Sequence, residues 1–284
     1  MTGRLALARS CRLWGVSRQS LYQRMSRHHA RQQELAPVRR MVEDLRRWMP
    51  RLGTRKLYFL IKPQLQEAGI KLGRDALFDY LREQRLLIQP KRSYTKTTHS
   101  KHWMKKYPNR LKDRVIDRPE QVFVSDITYV ESEEGVHYLS LVTDAASRKI
   151  MGHQLSHEMK ARDVVKALKK AIKGRCSDGP LIHHSDRGVQ YCASSYQQEL
   201  RKHHIEPSMT DGYDCYQNAL AERVNGILKQ EFLVSKCPTF EDLRQMVDES
   251  IKIYNGLRPH LSLGMKCPDE VHNELSHLTV AETM

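Results

Sequence analysis

The 284-residue chain has no apolar run approaching the roughly 18 residues that a membrane-spanning helix needs, and its opening, MTGRLALARSCR, lacks the apolar core of a secretory signal. A cytoplasmic location and no membrane partner are therefore expected. The six cysteines (Cys11, Cys176, Cys192, Cys215, Cys237, Cys267) include no CxxC pair, so neither a zinc finger nor a disulfide framework is signalled. The histidine pairs at 28–29, 183–184 and 203–204 have no cysteine at ligand spacing and make poor zinc sites. Internal repeats and low-complexity tracts are also missing. Acidic residues are scarce in one half only: residues 1–118 hold 29 Lys+Arg against 9 Asp+Glu, whereas the remaining 166 hold 19 against 24. A basic front half joined to a mildly acidic rear half points to a nucleic-acid-binding region attached to a separate catalytic body.

Along the front half, RLALARSCRLWGVSRQSLYQRM reads as two short helices around a turn at Gly15, with Ser17 placed to cap the second. In such a helix-turn-helix, Arg18, Gln19 and Tyr22 lie near the start of the second helix, where side chains reach bases or phosphates. A second helical pair, RKLYFLIKPQLQEAG and RDALFDYLREQRLL, is separated by Gly69 and Gly73 and carries Arg74 at the start of its second helix. Then KRSYTKTTHSKHWMKKYPNRLKDRV holds nine Lys+Arg, Lys105 and Lys106 among them, against one acid, interleaved with Tyr94, Trp103 and Tyr107. Such a segment suits tracking a phosphate backbone while its rings pack on sugars or bases; a solvated linker is the bland alternative.

From about residue 119 short strand-like runs appear, then strands alternate with helices, which predicts an α/β mixed sheet covered by helices. The expected division is a helix-turn-helix region over 1–50, a second helical DNA-binding module over 51–90, a basic linker over 91–118, a catalytic body over 119–257 and an irregular tail over 258–284 that wraps that body. Three carboxylates in the body share a pattern. Asp126 interrupts the apolar run VFVSDITYV, where a charge is costly unless a metal, a cation or hydrogen bonds compensate it. Asp186 follows LIHHS at an expected strand end, where open α/β sheets collect ligands. Glu222 comes after 35 further residues, and a continuous helix over NALAERVNGILKQEF places Asn218, Glu222, Asn225, Gly226 and Lys229 within about 60° of one line. Leu220, Val224 and Ile227 fall opposite. Acids from separate elements converging on two divalent ions are what two-metal phosphoryl transfer requires. A salt bridge for Asp126, a turn for Asp186 and a plain surface role for Lys229 remain open on each residue alone. Asp144, the rival carboxylate, precedes AASRK and is expected to bind turn amides or Arg148.

Together these motifs resemble those of bacterial insertion-sequence transposases of the DDE, retroviral-integrase-like superfamily, specifically the second-frame product of insertion sequence family three. VSDITYV is similar to that family's first-Asp strand, HHSDRGVQY to its second-Asp motif, NALAERVNGILKQEF to its Glu helix with a Lys seven residues on, and YNGLRPHLSLG with Pro268 to its closing motif. The match runs through nearly the whole chain. It implies a ribonuclease-H-like five-stranded mixed sheet preceded by small all-helical modules, and Asp126, Asp186 and Glu222 as ligands of two Mg²⁺ or Mn²⁺ ions. It further implies cleavage and joining at terminal inverted repeats, with double-stranded DNA as partner and self-association as a dimer or higher oligomer on it. Nucleoid association when bound follows. Lys229 becomes a contact to transposon-end DNA, and Arg223, Arg258 and His260 are further DNA candidates. Two departures stand out: Arg223-Val224-Asn225 follows Glu222 where many relatives have a small residue and aromatics, and no leucine-zipper heptads precede the body, so an upstream-frame protein, as fusion or partner, is expected to complete end recognition. A non-cleaving DNA-binding regulator or domesticated relative, and a structure-selective nuclease, are the alternative readings. A tyrosine or serine recombinase would need a protein nucleophile and no metal.

Overall fold

The computed structural model describes residues 7–89, 104–112, 114–211 and 218–281, without the side chains of residues 8 and 275–281. The expectations for Tyr94, Trp103 and Cys215 lie outside the described residues. Two compact units emerge, one from the residues up to 47 with 53–87, the other from 48–52 with 88 onward.

The first unit is all-helical: α1 (Leu7–Leu13), α2 (Arg18–Glu34), α3 (Ala36–Trp48), α4 (Thr54–Glu67) and α5 (Arg74–Glu83). Gly15 takes φ +64° in the turn between α1 and α2, a conformation that costs glycine little. The hydroxyl of Ser17 accepts from the Ser20 amide at 3.0 Å, so the capping residue read from the sequence does start α2. Val38 and Val42 of α3, Leu57, Ile61 and Leu65 of α4, and Leu77 and Leu81 of α5 are buried at one-turn spacing, which is how three amphipathic helices close a small core. Gln32 of α2 donates to Glu83 of α5 at 2.7 Å, tying the front helix pair to the second within one unit.

The second unit carries the sheet. Its strands β1 (Val122–Ser132), β2 (Gly135–Asp144), β3 (Ile150–Ser156), β4 (Ile182–Ser185) and β5 (Glu206–Met209) lie in the order β3-β2-β1-β4-β5. β1, β2 and β3 pair antiparallel, and β4 and β5 join in parallel. This is the mixed five-stranded, ribonuclease-H-like sheet expected. Side chains alternate across it. Phe123, Ile127 and Val142 face a core completed by Val164 and Leu168 of α6 (Ala161–Lys173), Tyr191 of α7 (Val189–Cys192) and Tyr196 and Leu200 of α8 (Ser194–Lys202). Val122, Val124 and Ile182 face the other way, toward Ala221 of α9 (Ala219–Ile227). β3 and α6 approach so closely that a Cβ on Gly152 would lie 2.2 Å from the Ala167 carbonyl, which explains a glycine in mid-strand.

Two expectations are corrected. The helix bearing Glu222 is not continuous: α9 ends at Ile227 and a π-helical turn follows over Leu228–Phe232, leading to α10 (Phe240–Gly256). The tail is not an irregular wrap either. After a short 3₁₀ turn it forms α11 (Pro268–Ala281), where Pro268 sits at the first helical position and Asp269 and Glu270 face the positive end of the helix. His272 of α11 is buried against the Ser147 hydroxyl at 3.0 Å, so the tail is anchored in the catalytic body.

Of the paired histidines, His183 and His184 are core groups. His184 Nδ1 meets the Ser208 hydroxyl at 2.8 Å, while His183 Nε2 meets both Ser125 Oγ at 2.7 Å and Tyr196 Oη at 2.9 Å. Both hydroxyls can donate to one nitrogen only while it is unprotonated, so the network holds His183 neutral. Burial, with a smaller contribution from His184, drops its pKa from 6.5 to about 3. The unfolded chain then binds one more proton than the native protein between these values, and stability must fall as pH drops below about 6.5. In urea unfolding between pH 4 and 6, the slope of stability against pH should be smaller in His183→Asn by about one proton; identical slopes would show that His183 is not the group responsible.

Candidate active site

β1 and β4 run parallel with Ser125 opposite Ser185. An aspartate follows each: Asp126 continues β1, and Asp186 comes just past the end of β4, where its Oδ1 accepts from the Gly188 amide at 2.9 Å. Asp126 belongs to the same sheet face as Val122 and Val124, the one α9 covers. α9 is fastened to β1 by two amides: Asn218 Nδ2 donates to the Ser125 carbonyl at 3.2 Å, and Asn225 Nδ2 to Asp126 Oδ2 at 2.7 Å. Glu222 projects between them from the exposed side of the helix. Beyond it, Lys229 Nζ reaches Thr128 Oγ1 at 3.4 Å.

The electrostatics follow from this crowding. Burial pushes the Asp126 carboxyl from 3.8 up to about 7, the Asp186 charge adds to the shift and Glu222 contributes further. The Ile127 amide and Asn225 pull in the opposite direction without cancelling it. Glu222 is likewise raised, by burial and then by Asp186. The Lys229 ammonium is lowered by burial, against the pull of Glu131. Among the described residues, no three His, Cys, Asp or Glu side chains stand close enough to grip one ion as they are placed. The carboxylates sense one another through space, and Glu222 is exposed.

Asp144 is occupied elsewhere, as its turn context suggested. Fully buried, it accepts from the amides of Glu120 (2.6 Å), Ala146 (3.0 Å) and Ser147 (2.7 Å) and from the Ser147 hydroxyl at 2.8 Å.

Integrase core domain models match residues 116–215 and 203–268. The chain is 33% identical over 263 residues to the "Insertion element IS600 uncharacterized 31 kDa protein" of Shigella sonnei, across 91% of this chain and 95% of that one. It is 30% identical over 271 residues to "Transposase InsF for insertion sequence IS3A" of Escherichia coli (strain K12), across 93% of each. The chain belongs to the IS3 transposase family. As a member of that family it is a polynucleotidyl transferase of DNA transposition. Among solved structures, the HTLV-2 integrase catalytic core domain in complex with magnesium aligns with 55% of this chain and 97% of that chain, at 21% identity and a TM-score of 0.44.

The expected DNA contacts of this IS3-family transposase divide into exposed and buried groups. Arg18, Gln19 and Tyr22 are exposed on the first turns of α2, and Arg74 is exposed at the start of α5, where it pairs with Asp75 at 2.8 Å. Lys105, Lys106 and Arg223 are exposed on the catalytic body. Tyr107 is half-buried: it packs with Met104 against the core, and Lys105 Nζ lies 5.4 Å from its ring centroid. Lys106 joins the neighbourhood of Asp186, since the Cys192 thiol is pushed up by burial and Asp186 and drawn down by Lys106 and Arg187.

Arg258 and His260 correct the expectation. Arg258 is 1% exposed and forks both nitrogens onto Glu231, at 2.7 and 2.8 Å, while its third meets His260 Nε2 at 3.0 Å. His260 is 6% exposed and edge-on to Tyr254. Neither is open to DNA. The closing motif instead braces the π turn that follows Glu222, and Asn255 within it pairs with both backbone groups of Ile150 at 2.9 and 3.0 Å. Sequence reasoning placed Asn225 on the Glu222 line but did not assign it to Asp126, because that partner lies 99 positions away. Removing one side of a buried ion pair strands the other charge. Arg258→Met should therefore lose about 3–5 kcal/mol of stability in urea unfolding while DNA affinity per folded molecule holds. A folded Arg258→Met with unchanged stability and weakened DNA binding would restore the direct-contact role.

Proposed function

We propose that the chain cuts DNA at the terminal inverted repeats of an insertion sequence and joins the freed 3′ hydroxyl to DNA, with Asp126, Asp186 and Glu222 holding two divalent cations. The observation that carries this reading is the electrostatic coupling of two aspartates that follow neighbouring residues of a parallel strand pair, Asp126 being raised to about 7 by burial and then by Asp186. An all-oxygen donor set suits Mg²⁺ or Mn²⁺ rather than softer ions. When bound, such ions polarise the phosphodiester and lower the pKa of the attacking water.

The protein's own groups set the geometry. Asn225 fixes the orientation of Asp126, Asn218 holds the start of α9 on β1, and Glu222 closes from the solvent side. Lys229, held near Thr128, is positioned for a backbone phosphate of the transposon end. In the first displacement a water oxygen bonds to phosphorus as the bond to the 3′ oxygen breaks; the water proton passes to solvent and the 3′ oxygen leaves as a hydroxyl. In the second, that hydroxyl attacks another phosphodiester, displacing a 3′ oxygen of the receiving strand and losing its proton to solvent. No protein nucleophile is consumed, which separates this chemistry from tyrosine or serine recombinases. Double-stranded DNA is the substrate of both steps. The exposed cations of α2, α5 and the 105–106 segment are assigned to holding it, and an upstream-frame partner and self-association on DNA are assigned to completing the assembly.

End-labelled duplexes carrying the DNA that flanks this gene, incubated with Mg²⁺, Mn²⁺ or a chelator, test the reading. The native chain, or its fusion to the upstream frame, should nick and then join only with metal. Glu222→Gln should bind DNA within about threefold of native while losing at least a thousandfold in nicking rate. Metal-independent nicking, or full activity in Glu222→Gln, would overturn the assignment.

A further inference from the structure

The π turn that follows Glu222 carries Lys229, and it is held at Glu231, two residues further on. Arg258 takes both carboxylate oxygens of Glu231, at 2.7 and 2.8 Å. The backbone carbonyl of the same residue accepts from the Arg51 amide at 3.2 Å, a donor that comes from the front half of the chain. Carbonyls in the last turn of a helix have no partner within it and must find one elsewhere. Arg51 supplies that partner.

A short, anchored turn places Arg51 for this. α3 ends at Trp48 and α4 starts at Thr54, with Met49, Pro50, Arg51, Leu52 and Gly53 between them. Pro50 has no amide hydrogen and a fixed φ, which stops α3 and stiffens the connection. The Leu52 amide closes on the Met49 carbonyl at 3.1 Å, and Leu52 and Met49 are 0% and 2% exposed. Residues 48–52 group with the sheet-bearing unit, whereas the rest of α3 and all of α4 count with the helical one. The catalytic body therefore reaches beyond the 119–257 expected from the sequence.

We propose that the Met49–Leu52 turn braces the catalytic site, with Arg51 as a positioning residue: its backbone N–H pins the π turn at Glu231 and so sets where Lys229 presents its ammonium to DNA. The inference rests on the reading of Lys229 as a contact to a DNA phosphate. Arg51 and Arg258 act on one residue through different groups, the first on its carbonyl and the second on its carboxylate. Side-chain capture alone leaves the backbone of the turn free to rotate. The Arg51 bond removes that freedom. Lys229 is exposed just before the fixed point, with Nζ 3.4 Å from Thr128 Oγ1. A lysine on a pinned turn loses less freedom on meeting a phosphate than one on a loose turn.

Hydrogen exchange of the full chain, without DNA or metal, tests the brace in wild type, Arg51→Pro and Met49→Ala. Proline at 51 removes the donor, and Met49→Ala loosens the turn while keeping it. Amides of residues 228–234 should exchange about 10-fold faster in both, as when a hydrogen bond is lost, while those of β1 keep their wild-type rates. Loss of β1 protection in Arg51→Pro would mark that variant as unfolded, and Met49→Ala then decides. Binding of a duplex carrying the DNA that flanks this gene, measured against salt, tests the link to Lys229. Lys229→Gln should lower the salt slope by about one. The folded brace variant should reproduce that change, and combining it with Lys229→Gln should add nothing. Unchanged exchange over 228–234 overturns the inference, as does an additive double variant. A wild-type salt slope in Lys229→Gln overturns the phosphate reading of Lys229, whatever the exchange shows, and the link to Arg51 falls with it.

Discussion

Everything at the catalytic end of this protein depends on an electrostatic cost that its topology imposes. Pairing β1 with β4 in parallel at Ser125 and Ser185 leaves two aspartates emerging from neighbouring strands. Among the described residues no basic side chain is paired with Asp126. Its hydrogen bonds come from the uncharged Asn225 amide and the Ile127 backbone, and its carboxyl rises to about 7. Because the native protein then holds a proton that the unfolded chain releases from about pH 4 upward, the ion-free pair destabilises the fold more as pH rises toward 7. Under the proposed function a divalent cation would reverse that cost and couple folding stability to the chemistry.

Around this point the rest of the body acts as a clamp. Asn218 and Asn225 hold α9 to the backbone and carboxylate of β1, and the π turn carries the chain on to Lys229 and Glu231. π-helical turns inside helices recur at functional sites, where the extra residue redirects side chains. Arg258 grips Glu231 from beneath, and Tyr254 and Asn255 tie the same closing motif to Arg148 and Ile150 beside β3. The motif is thus a keystone between the Glu222 helix and the edge of the sheet. Its arginine reads as a DNA contact in the sequence because an isolated RPH carries no sign of a partner 27 residues earlier.

What was legible in the residues was local or periodic. The alternation of VFVSDITYV carried β1 and the face of Asp126, Ser17 carried the start of α2, and AASRK after Asp144 carried its turn. What was not legible needed a long-range partner or a broken period: the Asn225–Asp126 bond, the buried Arg258–Glu231 pair and the π turn. α11 is different, since Pro268, Asp269 and Glu270 are a helix start that glycines and prolines nearby obscured.

The most direct test of the central claim is a carboxyl ¹³C NMR titration of the ion-free protein, with Asp126→Asn and Asp186→Asn as assignments. One aspartate should titrate near pH 7, vanish in Asp126→Asn, move down in Asp186→Asn, and fall below about 5 when Mg²⁺ is added. If every aspartate titrates below about 5 without ion, and Mg²⁺ moves none of them, Asp126 and Asp186 are not coupled and the ion-binding account is wrong.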